Sequence, residues 1–353
     1  MLNLNNNFTN IKRELLVKIA KLQLAGELDS NKINKIPTEL APQDKQPFTC
    51  CVFHDRELLK MRILARMGIS AENYTEDLDL TDFAKDALNR ESPTWPMLTV
   101  LHEACNACVK QDYIVTNACQ GCYARPCMTN CPKKAIYIRH HAHIDNDKCI
   151  HCGICAQNCP YHAIIKIPVP CEEACPVGAI SKDEFGKEHI DVDKCILCGK
   201  CLQSCPFGAV VEMSQIVDVI KHIHEGNKKV VAMLAPAVIG QFPGTINQLI
   251  GALKKVGFAD VVEVAAGADV TTRNEAAEFI EKMENGEKLM TTSCCPAYCK
   301  AAEVHIPEIK PFVSHTKAPM YYTAEMLKKE QPTSVSPPGE AGCRDSTSIR
   351  KDR

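Results

Sequence analysis

The 353-residue sequence has no imbalance of charge: 41 Lys and Arg stand against 43 Asp and Glu, a net charge near −2. Such a chain has no long-range field to draw it onto nucleic acid or an anionic membrane surface. It also has no apolar run approaching the roughly 20 residues that span a bilayer. The N-terminus, MLNLNNNFTNIKRELLVKIAKLQLAG, is polar and then amphipathic. It lacks the apolar core and small-residue cleavage site of a signal peptide. These absences give a cytoplasmic protein with no nucleic-acid partner and no membrane span as the expectation. Residues 1–100 also lack any close-spaced metal motif.

What the chain does have is cysteine: 22 in all, 16 of them between residues 105 and 205. Cytosolic thiols are kept reduced, so this density points to metal rather than to a disulfide scaffold. Around this block the pattern is that of an ordinary globular chain, 45% hydrophobic and long enough for two or three domains. Ile11–Ala25 and Arg56–Met67 carry apolar residues at helical spacing, with Gly68 as a stop. The vicinal Cys50–Cys51 pair is expected to be partly buried free thiols. Past the block, VVAMLAPAVIG and VVEVAAGADV read as strands, and INQLIGALKKVGF and EAAEFIEKMENG as helices. KLMTTSCCPAY reads as a third strand entering a Cys-rich turn. The fold class is therefore α+β. Its parts are a helical region over 1–100, a cysteine domain over 101–212, a partial α/β domain over 213–331, and a disordered tail over 332–353.

The cysteine block is an internal duplication. HIDNDKCIHCGIC from His143 matches HIDVDKCILCGKC from His189 at an offset of 46, and Cys159 matches Cys205 at the same offset. Four Cys-Pro pairs recur as CPKKAI, CPYHAI, CPVGAI and CPFGAV. A 4Fe–4S cube needs four thiolates. C-x2-C-x2-C wraps three around one cube, and a later Cys-Pro reaches the other cube of a two-cluster pair. On that rule, with a longer gap before Cys127, Cys119, Cys122, Cys127 and Cys159 form one set. Cys149, Cys152, Cys155 and Cys131 form a second, and Cys195, Cys198, Cys201 and Cys175 a third. Cys171 and Cys175 align with Cys127 and Cys131, but the second unit has no CxxC of its own, so the upstream Cys105 and Cys108 are expected to join Cys171 and Cys205 on a fourth cube; the alternative is a lost cluster that leaves these four thiols free. Zinc sites use CxxC as separated pairs rather than triplets ending in Cys-Pro, which argues against zinc here. Gly153 and Gly199 are read as giving the loops close approach to the cluster. His140, His141 and His143 read as a solvated loop. Lys133, Lys134 and Arg139 read as ordinary surface.

Thr291-Thr292-Ser293-Cys294-Cys295-Pro296-Ala297-Tyr298 resembles the first signature of the iron-only (FeFe) hydrogenases. LAPAVIGQF, GFADVVEVAAGAD and PFVSHTKAPMYYTAEMLKK resemble the start of that family's catalytic domain. PFTCCVFHDRELLKMRILARMGIS and the cysteine block resemble its ferredoxin-fused branch. The resemblance covers roughly residues 45–331. It implies a duplicated ferredoxin-like 4Fe–4S domain feeding a partial hydrogenase-type α/β domain. It also implies an H-cluster, a 4Fe–4S cube joined to a di-iron unit, with Cys295 as a cube ligand and Cys294 as the proton-transfer thiol. The family's later ligand motifs, an MPC-x2-K-type string and a distal cysteine pair, have no match here. Only Cys299 and Cys343 follow Cys295. The expectation is a C-terminally incomplete member of the family. Two readings stand. One is an oxidoreductase that relays electrons to an H-cluster-type site for reversible H2 oxidation and proton reduction. The other is a non-catalytic polyferredoxin carrier or redox sensor. Either works with a redox partner protein, a ferredoxin-like or other electron donor or acceptor.

Overall fold

The computed structural model describes residues 6–71, 79–108, 111–226 and 228–330. The expected disordered tail, with Cys343, lies outside the described residues.

Four helices open the chain: α1 (Asn7–Leu24), α2 (Lys32–Leu40), α3 (Val52–Met67) and α4 (Leu80–Asn89). α1 begins four residues before the first periodic isoleucine, because the Asn6 side chain accepts from Thr9 N at 2.8 Å and caps it. α3 ends at Gly68, which is left-handed at φ 79°. Leu15 and Ile19, Ile33 and Ile36, Leu59, Ile63 and Met67, and Phe83 and Ala87 bury into one core. Their three- and four-residue spacing puts each set on a single helix face.

The cysteine block follows as small hairpins and one-turn helices. In chain order these are β1 (Leu98–Val100), β2 (Gln111–Val115), α5 (Pro126–Thr129), β3 (Ile136–Ile138), β4 (Ala142–Ile144), α6 (Ile154–Gln157), β5 (Ile164–Ile167), α7 (Pro170–Ala174), β6 (Ile180–Lys182), β7 (Glu188–Ile190), α8 (Lys200–Ser204) and β8 (Val210–Glu212). β2 pairs antiparallel with β5 and encloses the β3–β4 hairpin. β1 pairs antiparallel with β8, and β6–β7 is the matching hairpin. The second unit is thus split in sequence. Its first strand and the Cys105–Cys108 loop come before the first unit, which is inserted whole between β1 and α7. The matched backbone bonds Thr116 N to Ala163 O (2.7 Å) and Leu101 N to Ala209 O (2.8 Å) show the equivalence.

α9 (Ile216–Glu225) returns to the N-terminal helices, and its Val217 joins their core. Charged groups lock the junction. Arg66, 2% exposed, donates to Glu212 of β8 at 2.5 Å, and Lys12 of α1 bonds the same carboxylate. Arg90 grips Asp218 with Nε (2.7 Å) and Nη2.

The C-terminal part has a two-stranded parallel sheet, β9 (Val231–Leu234) and β10 (Asp260–Glu263), joined through α10 (Ile246–Val256). A Thr245–Gln248 capping box starts α10 and Gly257 ends it. α11 (Ala265–Glu284), α12 (Pro296–Val304) and α13 (Pro319–Glu330) follow. Two strand expectations fail here. VVEVAAGADV is strand only to Glu263. Val264 turns helical, and the small residues after it open α11, where a Cβ on Gly267 would lie 2.2 Å from the Pro319 carbonyl. KLMTTSCCPAY forms a single bridge, Thr291 to Val313, because no longer partner strand runs beside it.

Candidate metal centres

The cysteine loops owe their shape to left-handed backbone. Among the described residues six non-glycines have positive φ, and all six lie in the cysteine block: Ala107, Arg125, Lys134, His151, His162 and Leu197. Such residues cost of order 1–3 kcal/mol each and gather where function requires the shape. In the CxxC that opens each motif, the residue before the second cysteine is left-handed: Ala107 (46°), His151 (56°) and Leu197 (57°), with Gly121 (57°) in the remaining loop. The Cys105–Cys108 loop therefore has the same turn as the three loops with complete motifs. Gly153 (φ 77°) and Gly199 (φ 73°) serve the backbone direction. A side chain at Gly153 would strike Tyr113 Oη at 2.5 Å, whereas Gly199 has nothing within 4 Å.

These turns bring the cysteines together in fours. One cavity is lined by Cys119, Cys122, Cys127 and Cys159. Another is lined by Cys131, Cys149, Cys152 and Cys155. A third is lined by Cys105, Cys108, Cys171 and Cys205. Cys175, Cys195 and Cys198 are the thiols whose charge acts on Cys201. Each quartet draws on the sequence segments that the spacing rule selects. Every described cysteine is a free thiol. Among the described residues, no three His, Cys, Asp or Glu side chains gather closely enough to hold one metal ion. Quartets of thiols spread around a cavity suit a cube with a metal at each ligated corner better than a tetrahedral zinc.

The recurring alanine of the Cys-Pro strings has a role the sequence alone did not reveal. Its backbone N–H donates to the Cys-Pro sulfur: Ala135 to Cys131 (3.3 Å), Ala163 to Cys159 (3.4 Å), Ala179 to Cys175 (3.2 Å) and Ala209 to Cys205 (3.4 Å). All four alanines are buried. A donor aimed at sulfur stabilises the thiolate and tunes any metal it holds. Burial works the other way. It raises the Cys171 thiol to about 12, with Glu188 and Cys205 adding to the effect. It raises Cys201 to about 11, against a backbone hydrogen bond at Leu202 and with the neighbouring thiols adding to the rise. Metal entry must therefore expel protons, and cluster assembly is favoured by higher pH.

Two histidines of the first hairpin have fixed partners. His141 Nδ1 donates to the Cys119 carbonyl (2.7 Å), and His143 stacks on Tyr137 at 5.2 Å between centroids. Cys50 and Cys51 are exposed, not partly buried. The buried Asp55 carboxylate accepts from Phe48 N, Thr49 N and Thr49 Oγ1, which holds their loop at the start of α3 and turned to solvent.

The Cys294–Cys295 turn is built by successive clamps. Glu278 of α11 accepts from Ser314 Oγ (2.6 Å), His315 N (3.0 Å) and Thr316 Oγ1 (3.0 Å). The 313–316 segment in turn holds Thr291–Ser293, through Ser314 N to Thr291 O (2.8 Å) and Ser293 Oγ to the Thr316 carbonyl. Cys294 and Cys295 emerge from this clamp exposed, at the start of α12, while Cys299 is buried with its thiol on the Ser293 carbonyl at 3.4 Å. Among the described residues Cys294, Cys295 and Cys299 are the cysteines that follow Cys205. At the other end of α12, His305 Nε2 donates to the Lys194 carbonyl (2.8 Å), beside Cys195, and the Lys300 charge acts on Cys195 itself.

Comparison with known proteins matches these parts in order. A 4Fe-4S binding domain matches residues 142–165, a 4Fe-4S dicluster domain 170–209, and the iron only hydrogenase large subunit, C-terminal domain, 228–340. The periplasmic [Fe] hydrogenase large subunit of Nitratidesulfovibrio vulgaris is 36% identical over 204 residues, which cover 54% of this chain and 44% of that protein. Iron hydrogenase 1 of Clostridium pasteurianum is 30% identical over 132 residues, covering 35% of this chain and 23% of its own length. A solved FeFe-hydrogenase structure overlaps 34% of this chain and 35% of that one, at 26% identity and a TM-score of 0.31. The chain thus spans less than half the length of these two curated relatives. No described helix is long and apolar enough to cross a membrane. The chain thus carries ferredoxin-type 4Fe–4S domains followed by a domain of the iron-only hydrogenase large subunit, C-terminal type.

Proposed function

We propose that the chain is an electron-relaying oxidoreductase. In this reading four 4Fe–4S clusters, held by the four cysteine quartets, exchange electrons with a hydrogenase-type site for reversible H2 oxidation and proton reduction. The observation that carries the reading is the placement of α12. The nine-residue helix, about 13 Å long at 1.5 Å per residue, begins at the Cys294–Cys295 turn and ends at the loop of Cys195. One rigid element therefore joins the third quartet to the hydrogenase-type turn. A redox partner protein would load electrons at the exposed face of the ferredoxin part, and the cytoplasm is the compartment that fits so many free thiols.

When bound, the family's H-cluster supplies the metal chemistry of H2 cleavage. The chain's own part is to hold the cube through Cys295 and to offer Cys294, exposed at the turn, as the acid that takes and returns a proton. Thr292 Oγ1 lies 3.9 Å from Cys294 Sγ. The test is infrared spectroscopy of the chain coexpressed with hydrogenase maturases, with H2 evolution from reduced viologen. Carbonyl and cyanide bands, lost in Cys295→Ser, are expected, as is H2 evolution lost in Cys294→Ser while the bands remain. A preparation with full clusters but neither bands nor H2 would leave the chain as an electron carrier and refute the enzyme reading.

A further inference from the structure

The two ferredoxin-type units differ at one matched cross-strand pair. In the first hairpin Ile138 pairs with Ala142, and both line the cavity of Cys119, Cys122, Cys127 and Cys159. In the second, Lys182 pairs with Glu188, and Glu188 lines the cavity of Cys105, Cys108, Cys171 and Cys205. Ala142 and Glu188 stand immediately before the matching His-Ile-Asp strings, so they correspond position for position.

Glu188 is 3% exposed. Its Oε1 accepts from Lys182 Nζ at 2.5 Å, while Oε2 is buried without a hydrogen-bond partner. Its backbone N–H donates to Cys105 Sγ at 3.5 Å, which fixes the root of the side chain against the cysteine loop. Lys187 Nζ donates to the Cys105 carbonyl at 2.6 Å. Glu188 lines the cavity and its charge acts on Cys171, while Lys182, 28% exposed and outside the lining, acts on Cys108. A buried ion pair adds little stability over a packed apolar pair, because desolvation offsets the attraction. The first hairpin shows that this fold accepts the apolar pair. What the ion pair adds is a carboxylate in the wall of one cavity.

We propose that Glu188 is a positioning residue for charge: its carboxylate sets the cluster held by Cys105, Cys108, Cys171 and Cys205 at a lower reduction potential than the same quartet would have with an apolar hairpin. This rests on the four-cluster reading above. Reduction adds one negative charge to the cube, and a fixed carboxylate in a poorly polarisable wall opposes it. The relay would then contain one low-potential step, at the quartet of Cys105, Cys108, Cys171 and Cys205.

The experiment is an EPR-monitored redox titration of the full chain, anaerobically reconstituted, as wild type, Glu188→Gln and Lys182→Ile/Glu188→Ala. One cluster signal is expected to move to higher potential in both variants while the others stay in place. The double variant copies the apolar pair of the first hairpin, so it decides if the single one fails to fold. Iron content of Cys105→Ser/Cys108→Ser separates the two levels of the argument. A loss of about four iron atoms with no movement of any potential overturns the role of Glu188 alone. No loss of iron overturns the fourth cluster and the role of Glu188 with it.

Discussion

Gly153 and Tyr113 carry a prediction that separates backbone strain from packing. Gly153 is left-handed and a Cβ there meets Tyr113 Oη at 2.5 Å; Gly199, its counterpart, is left-handed with open space around it. Gly199→Ala should cost about 1–2 kcal/mol, the left-handed penalty alone. Gly153→Ala should cost more, and adding Tyr113→Phe should return it to the Gly199→Ala value in urea denaturation; no relief would mean that the hydroxyl contact is unimportant. Glu278 makes a second prediction at this scale. Burial pushes its carboxyl up, but donors from Ser314, His315 and Thr316 outweigh it and hold it down at about 2, against an ordinary 4.5. A depressed folded value means that the stabilisation is complete above 4.5 and disappears as pH falls towards 2. It amounts to on the order of 2–3 kcal/mol. Hydrogen exchange over 313–316 should accelerate on acidification across that window, and in Glu278→Gln it should be fast throughout.

At the scale of elements, legibility followed the range of the forces. The cysteine spacing is legible because it is a local chemical requirement: a loop that wraps a cube fixes its own residues. The Cys-Pro-x-x-Ala repeat was visible as a pattern, but its reason, an N–H aimed at sulfur, needed the turn geometry. The start of α11 was hidden because it depends on a tertiary contact. Gly267 looks like a loop glycine in VVEVAAGADV, yet it is there so that α13 can approach, with the Pro319 carbonyl and Thr323 Oγ1 each 2.2 Å from where a Cβ would sit. Gly267→Ala should therefore overpack the α11–α13 contact and cost about 1–3 kcal/mol. Alanine favours a helix more than glycine does, so if packing did not matter the same change would raise the melting temperature. A measured rise would refute the close-approach account.

For the whole molecule, the split second unit makes the two halves of the cysteine block unequal. The first unit buries Cys127 and Cys155 with Ile136, Ala142 and Ile164, all its own residues. The second buries Cys105, Cys171 and Cys201 in one cluster with Leu58, Met61 and Ala65 of α3 and with Val100, Leu101 and Val210. Arg62 of α3 reaches across to the Phe207 carbonyl at 3.2 Å, and Arg66 holds Glu212. This packing predicts that cluster assembly in the second unit is coupled to the helical layer, and that assembly in the first is not. The sequence offered the orphan Cys105–Cys108 pair as a clue to this arrangement, but not the pairing of β1 with β8 that makes it structural. Two double variants test the coupling. Cys119→Ser/Cys122→Ser should lose about four iron atoms and leave hydrogen exchange in α3 as in the wild type. Cys105→Ser/Cys108→Ser should lose a similar amount and also raise exchange in α3 and β8, because an unfilled cavity removes support from the shared core. Equal protection of α3 in the two variants would show that the helical layer stands independently of the clusters beneath it.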